Sequence, residues 1–427
     1  MEDLMQRLPQ EVLDAVLRRL DTPRVLATSR CVCKTWRALI DARGLPVALS
    51  GIFTHPRGET LLDYFVLPHQ PSSTQVPAAA FDTEEDDDPL RVVQHCNGLL
   101  LLGNGVRSWR VLNPATGQWA RLPSPPPLRL LGVDDFYGYE EDPDYEEEDG
   151  FVVFDPATSP HYQVLLINSI PFMPWPDCQV VRPSTKEREW PPASYTLRVF
   201  SSETRLWEQK QFTRQGEARG TVQDMLWCPT PNHSYAAYWR GALYVHERDF
   251  AMRINLSDHT YQVISLPDDG DFEEFWTDWY LGKSNGGVYC AILFKGHSGF
   301  GLQVWFLDET CAQMKWALRR DVDLRSLLPN FPSEHGDGPS TTQCAHHGDD
   351  GDGMSNHVRR TLSILGFHPN KEVVFIHTPS RRVMAYQFDS SDAQDMGYLP
   401  VDEVHRHRIH SSFPYTPCRS GELSSNM

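Results

Sequence analysis

The sequence predicts an α+β multidomain chain: a small N-terminal unit of three helices, followed by a mainly antiparallel β-propeller of about six blades. Three observations carry that expectation. Apolar residues recur at helical spacing between Leu8 and Ile40, and the pattern ends before Gly44. From residue 47 the chain turns to short β-type runs punctuated by Pro, Gly, Asn and Asp. Within those runs a strand, a turn and an aromatic residue recur at steps of roughly 40 to 55 residues, once the polar insert at 332–357 is left out of the last step, and this is the period of a propeller blade.

The three helices can be placed residue by residue. Leu8, Val12, Leu13, Val16, Leu17 and Leu20 form one apolar stripe, and Pro9 stands where a first helical turn tolerates proline. Thr22 and Pro23 read as the N-cap and first position of a second helix carrying Val25, Leu26, Ala27 and Ser29. Val32, Cys33, Trp36, Leu39 and Ile40 give the third stripe. Roughly forty residues rarely bury so much apolar surface alone, so a partner surface is implied.

The order LPxEVLxxVLxRL, a short break, then SRxVCKTWRALI resembles the F-box, over about the first 45 residues. F-box proteins use this module to dock on the adaptor Skp1 of a cullin-RING ubiquitin ligase. The resemblance implies that Leu8, Pro9, Val12, Leu13, Val16, Leu26, Val32, Cys33 and Trp36 bind a Skp1-like adaptor by helix packing and, through it, a cullin. Thr28 departs from the family, many of whose members carry an apolar or basic residue there.

Composition bounds the remaining possibilities. No run of 18 apolar residues exists in the 427, and the first residues, MEDLMQRLPQ, lack the basic and apolar regions of a secretory signal. A cytoplasmic or nuclear protein is expected, with no membrane span. Nine cysteines, scattered and odd in number, read as reduced and mostly buried thiols. The net charge of -18 is local: residues 82–88 hold six acids and residues 134–149 hold ten, with no Lys or Arg in either. The remainder is close to neutral. Residues 1–46 hold eight Lys or Arg against six acids, a net of +2 that suits an acidic partner. No clustered basic face suggests nucleic acid.

After a boundary near Pro46, residues 47–53 and Leu61 to Leu67 read as strands. The first full unit is His95-Cys-Asn-Gly-Leu-Leu-Leu-Leu102, a turn and a buried strand, then Trp109 to Pro123, strand, turn, strand. Asn113-Pro114 opens that turn with φ preset by proline, and Gly117 supplies a positive φ. Taking Asn113, Asp155, Ser201, Asn255, Asp308 and Asp389 as equivalent anchors gives six units, with residues 47–67 free to add strands or close the ring. One four-stranded sheet cannot cover its own faces, whereas radial stacking buries both. Trp119, Trp207, Tyr261 and Trp316 are accordingly expected to pack between blades rather than to cage a ligand. CysAsnGlyLeuLeuLeuLeu followed by ValLeuAsnProAlaThrGlyGlnTrp is similar to the F-box-associated, kelch-like region of plant F-box proteins, over roughly residues 90–400. The expected organisation is an F-box domain at 1–46 and a propeller at 47–410. Disordered acidic or polar inserts are expected near 70–88, 134–149 and 332–357, and a disordered tail at 411–427.

Catalytic patterns are near misses. Gly296-His-Ser298-Gly-Phe lacks the last glycine of a nucleophile elbow and reads as a hairpin loop. Gly103-Asn-Gly105 lacks the third glycine and the helix of a dinucleotide site. His335, Cys344, His346, His347 and His357 fit no usual zinc spacing, and the 134–149 run lacks the spaced ligands of a calcium loop. No catalytic residue, cofactor or metal is expected. The sequence thus points to a substrate-recognition subunit of a Skp1-cullin-F-box ubiquitin ligase, its target-binding residues unassigned. The alternative is a propeller that binds a small ligand or glycan, with the F-box as a regulatory tether.

Overall fold

A computed structural model describes residues 36, 49–56, 63–68, 90–104, 108–127, 148–170, 183–226, 235–267, 277–296, 299–310, 314–324, 362–399, 409–418 and 423. Of the adaptor-binding residues expected from sequence, Trp36 is within this set, in helical conformation and buried. The other eight lie outside it, as do residues 70–88 and 332–357.

The described chain is mostly antiparallel sheet. It begins with β1 (Gly51–Pro56) and β2 (Asp63–Val66). A four-stranded meander follows, of β3 (Arg91–Cys96), β4 (Leu99–Gly103), β5 (Trp109–Asn113) and β6 (Gln118–Arg121). The next unit contains β7 (Glu148–Val153), β8 (Gln163–Asn168), a short helix α1 (Pro183–Lys186), β9 (Glu189–Trp190), β10 (Ser194–Ser201) and β11 (Leu206–Gln215). After β12 (Gly220–Thr221), which pairs with β9, and α2 (Val222–Leu226) come β13 (Ala236–Trp239), β14 (Ala242–Glu247), β15 (Phe250–Asn255) and β16 (Thr260–Ser265). Two further meanders are β17 (Thr277–Ser284), β18 (Gly287–Gly296), β19 (Gly299–Asp308) and β20 (Lys315–Asp323), then β21 (Ser363–Phe367), β22 (Val373–His377), β23 (Arg382–Gln387) and β24 (Asp392–Tyr398). The last strand, β25 (Ile409–Tyr415), returns to pair with β1, giving a three-stranded sheet in the order β2-β1-β25.

Burial falls from the second strand of a meander to the fourth. LLLLG of β4 is buried throughout and QWAR of β6 only in part; ALYVHE of β14 and TYQVIS of β16 repeat the contrast. Inner strands buried on both faces read as continuous apolar runs, whereas outer strands alternate. Six apolar clusters fill the spaces between neighbouring sheets. One joins β3–β6 to β7–β11 through Leu101, Val111, Val152 and Leu166. The others join successive units in turn, and the sixth sets Phe53, Phe413 and Tyr415 of β2-β1-β25 against Leu100, Leu102 and Leu112 of β3–β6. The first strands also pack against one another, β3 on β7, β17 on β13 and β21, β25 on β21 and β3. This is a propeller-like arrangement, closed by pairing of the first strand with the last.

Several expectations are corrected. Asp155 is not equivalent to the other anchors: it lies between β7 and β8, in the same unit as Ser201 at the end of β10. The six anchors therefore mark five units, and residues 51–66 with β25 supply another sheet. The misreading has a local cause. Asp155 Oδ1 accepts a hydrogen bond from Ala157 N at 3.0 Å, as Asn113 Oδ1 does from Ala115 N at 3.0 Å, so both turns use one side-chain device in different hairpins. β25 runs from Ile409 to Tyr415, into the tail expected at 411–427, Cys418 and Leu423 are buried, and Glu148 and Asp149 open β7. The parallel pairing of β11 with β16, from Thr213↔Thr260 to Gln215↔Gln262, fuses two meanders into an eight-stranded sheet and had no signal in the sequence.

Candidate functional site

The antiparallel order fixes which turns share a face. In the four-stranded units every first-to-second-strand turn and every third-to-fourth-strand turn lies at one end of the strands, while the connections from one such unit to the next, and from β24 to β25, start and finish at the other end; the chain leaves β2 at the turn end, where Val66 lies opposite Gly51. At the turn end, where first strands from several units converge, the chain surrounds an open cavity of about 80 Å³. Contributions come from β3 and its turn (His95 to Gly98), β13 (Ala236 to Tyr238), β17 (Tyr280 to Lys283), the end of β21 (Phe367, Pro369) and the end of β25 (Pro414, Thr416).

The Asn97-Gly98 turn is the feature that shapes this mouth. Both residues have positive φ, 44° and 94°, the geometry of a tight primed hairpin turn. Asn97 Nδ2 donates to the Phe154 carbonyl at 2.6 Å, which holds the turn to the next unit. Its Oδ1 accepts from Lys283 Nζ at 3.3 Å. The Lys283 ammonium also stands 5.6 Å from the centroid of the Trp239 ring, within cation–π range. Ser284 Oγ lies 2.9 Å from the His368 carbonyl and 2.8 Å from that of Lys371, so the end of β17 is tied to the β21–β22 turn. Tyr280 donates to the Ser412 carbonyl at 3.1 Å. A Cβ on Gly366 would stand 2.6 Å from Pro414 Cγ and 2.8 Å from the Tyr280 hydroxyl, so the walls close only with glycine there.

Electrostatically the cavity holds one cation among neutral groups. Burial, and then the Lys283 charge, push the His95 pKa down to about 4, so its imidazole is neutral at physiological pH. Burial pushes the Cys96 thiol up to about 11, and its sulfur lies 3.3 Å from the Phe154 carbonyl; it is no nucleophile at neutral pH. Among the described residues neither Asp nor Glu lines the cavity. Such a set binds and orients; it offers no paired acid and base.

The aromatic residues set aside for packing take that role. Trp207 Nε1 donates to the Pro123 carbonyl at 2.7 Å and Trp316 Nε1 to the Ser265 carbonyl at 2.9 Å, each reaching the preceding unit. Tyr261 donates to the Pro192 carbonyl, and Trp119 packs on the cluster containing Phe53 and Phe413. Gly296 pairs with Gly299 across the β18–β19 hairpin, as expected of a hairpin loop there. Gly103 ends β4, opposite Trp109 of β5, with no helix following. The histidines and Cys344 between 335 and 357 lie outside the described residues, among which no group of three or more His, Cys, Asp or Glu is placed to hold a metal. No helix among the described residues is long and apolar enough to cross a membrane. Sequence reasoning missed Lys283; only the Asn97-Gly98 turn dipeptide signalled this end of the fold.

The N-terminal segment is decided by family comparison. Residues 5–47 match the F-box domain. The F-box thus ends just before the described β-region begins at Leu49. An F-box implies an adaptor role in a Skp1-cullin-F-box complex, and a propeller-like region is a fitting protein-binding module beside it. No curated protein matches the chain. Among solved structures, it is similar to YCF48 bound to D1 peptide (8% identity, TM-score 0.35, 74% of this chain and 69% of that one). It is also similar to the WD40 repeats of RRP9 (10%, 0.34, 76% and 86%) and to apo AztD from Citrobacter koseri (10%, 0.30, 81% and 93%). With TM-scores below 0.5, these similarities do not extend to function.

Proposed function

We propose that this protein is the substrate-recognition subunit of a Skp1-cullin-F-box ubiquitin ligase, related to plant F-box proteins with a kelch-like associated region. The observation that carries the reading is the F-box match at residues 5–47, immediately ahead of a β-region closed on itself. In this reading Leu8, Pro9, Val12, Leu13, Val16, Leu26, Val32, Cys33 and Trp36 pack on a Skp1-like adaptor. The sheets form a ring of six blades that binds the target protein. The sixth blade is β2-β1-β25, a count supported by the six inter-sheet clusters. The subunit is not itself an enzyme. Chemistry belongs to the E2 recruited through the cullin, and the contribution here is positioning, which raises the effective concentration of target at the E2. Such a subunit works in the cytoplasm or nucleus.

The test is adaptor capture. Leu8→Ala combined with Pro9→Ala should abolish pulldown of Skp1 while the β-region melts at an unchanged temperature; retained capture overturns the reading. A second reading, a propeller binding a small ligand or glycan with the F-box as tether, is favoured by aromatic and polar side chains meeting at one mouth of the channel. Skp1 association without cullin-dependent turnover of any captured protein would favour it over the first.

A further inference from the structure

The cavity at the turn end is asymmetric in charge. Among the described residues Lys283 is the single ionised side chain of its lining, because the thiol of Cys96 and the imidazole of His95 are neutral there at physiological pH and none of those residues contributes a carboxylate. Among the described residues, the ammonium meets only neutral partners: the amide oxygen of Asn97 at 3.3 Å and the face of Trp239. An amide oxygen and a ring face neutralise an ammonium far less than a carboxylate does. Lys283 is half-buried, and its walls are aromatic rings and prolines, among them Tyr238, Tyr280, Phe367 and Pro414. Low-dielectric walls strengthen the field of the one charge they surround.

We propose that this mouth recognises a carboxylate side chain, Asp or Glu, carried beside an apolar residue on a peptide segment of the target. The proposal rests on the target-binding reading above. Lys283 Nζ pairs with the carboxylate, Asn97 holds the lysine in position, and the rings and prolines take the neighbouring apolar side chain. A phosphate group fits less well. It carries nearly two charges and three strong acceptor oxygens, and phosphopeptide sites meet it with arginine clusters, whereas the described residues of this lining offer one ammonium and no guanidinium. Asp155 bears on the site, acting on Tyr238 and Cys96 from outside the lining, with Oδ1 engaged by Ala157 N.

The experiment uses the full chain in complex with Skp1 and four blocked tetrapeptides, Ac-Gly-Glu-Phe-Gly-NH2 and its Gln, phosphoserine and Lys counterparts at the second position, with binding read by saturation-transfer NMR. The Glu peptide should bind at least tenfold more tightly than the Gln and Lys peptides. Lys283→Met should remove that preference, Lys283→Arg should keep it, and Asp155→Asn should leave it intact or increase it. Melting temperatures of the variants show that they are folded. Equal binding of the Glu and Gln peptides, an unaltered preference in Lys283→Met, or no binding of any peptide at millimolar concentration overturns the proposal. Tighter binding of the phosphoserine peptide reassigns the site to phosphate, and free N-acetylglutamate binding as tightly as the tetrapeptide reassigns it to a small carboxylate; either result overturns it as stated. Skp1 capture by Lys283→Met separates the two readings, since the ligase assignment predicts that capture is retained whatever the peptides do.

Discussion

Gly98 and Gly286 occupy the same turn position in different hairpins, with φ of 94° and 81°, yet their surroundings differ. A Cβ at Gly98 would lie 2.5 Å from Cys418 Cβ and 2.7 Å from its backbone nitrogen, whereas nothing lies within 4 Å at Gly286. Gly286→Ala should therefore cost only the backbone term, about 1 kcal/mol, and Gly98→Ala should cost about 3 kcal/mol or more because the C-terminal backbone must move. Urea unfolding of the two variants checks the difference. Histidines set the acid limit in the same residue-by-residue way. Burial lowers His95, His368 and His377 each from 6.5 to about 4. The unfolded chain then binds more protons between those values, so this contribution is fully present above pH 6.5 and is lost as pH falls toward 4. Each should remove roughly 1 to 2 kcal/mol by pH 5. Melting temperature should fall from pH 7 to pH 5, and His377→Phe should flatten the decline.

Between elements, one outer-strand device repeats. Trp207 on β11 and Trp316 on β20 each send an indole N–H back to the unit before, and Tyr261 on β16 does the same with its hydroxyl. Arg320, also on β20, reaches forward to the Phe388 carbonyl at 2.6 Å and the Asp389 carbonyl at 2.8 Å. The outer strands are thus stitched where their apolar burial is weakest. Trp316→Phe keeps the ring but loses the bond, and should cost about 1 kcal/mol; Trp316→Ala, which also removes packing, should cost about 3 kcal/mol. Leu206→Ala, at a side chain 62% exposed, should change stability by less than about 0.5 kcal/mol and serves as the control in the same denaturation series.

On the scale of the molecule, closure depends on the two ends of the β-region meeting. β1 pairs with β25 from Gly51↔Tyr415 to Pro56↔Ile409, and Ser50 N donates to the Tyr415 carbonyl at 2.9 Å. Removing β25 would expose the apolar faces of β1 and β21 together. A chain ending at residue 408 should lose cooperative unfolding in calorimetry and become sensitive to protease at β1, while one ending at residue 423 should behave as the full chain does. The two faces are also unlike. Ser50 and Gly51 stand beside Tyr415, at the turn end that holds the Lys283 cavity. β6 ends and β7 begins at the opposite face, on either side of the acid-rich residues 134–147, whereas the connection holding residues 82–88 leaves β2 at the turn end, where Val66 lies opposite Gly51, and enters β3 at the opposite face.

Local chemistry by itself determined much of this protein. The helical stripe and its ordered motif were enough to identify an F-box in residues 5–47, because the family's motif lies in one short segment. Asn97-Gly98, Asn113-Pro114 and the strands beside them were legible because turns and strands are fixed by neighbours a few residues away. The tertiary structure alone decided which units are equivalent. Asp155 uses the same turn device as Asn113 in a different hairpin, and no local signal separates the two. It alone decided that residues 409–415 are the partner of β1, since a pairing across more than 350 residues leaves no local trace in either strand. The Lys283 site had the same status. Its parts come from β3, β13, β17, β21 and β25, each unremarked in its own strand, and they become a site only when closure brings those strands around one channel.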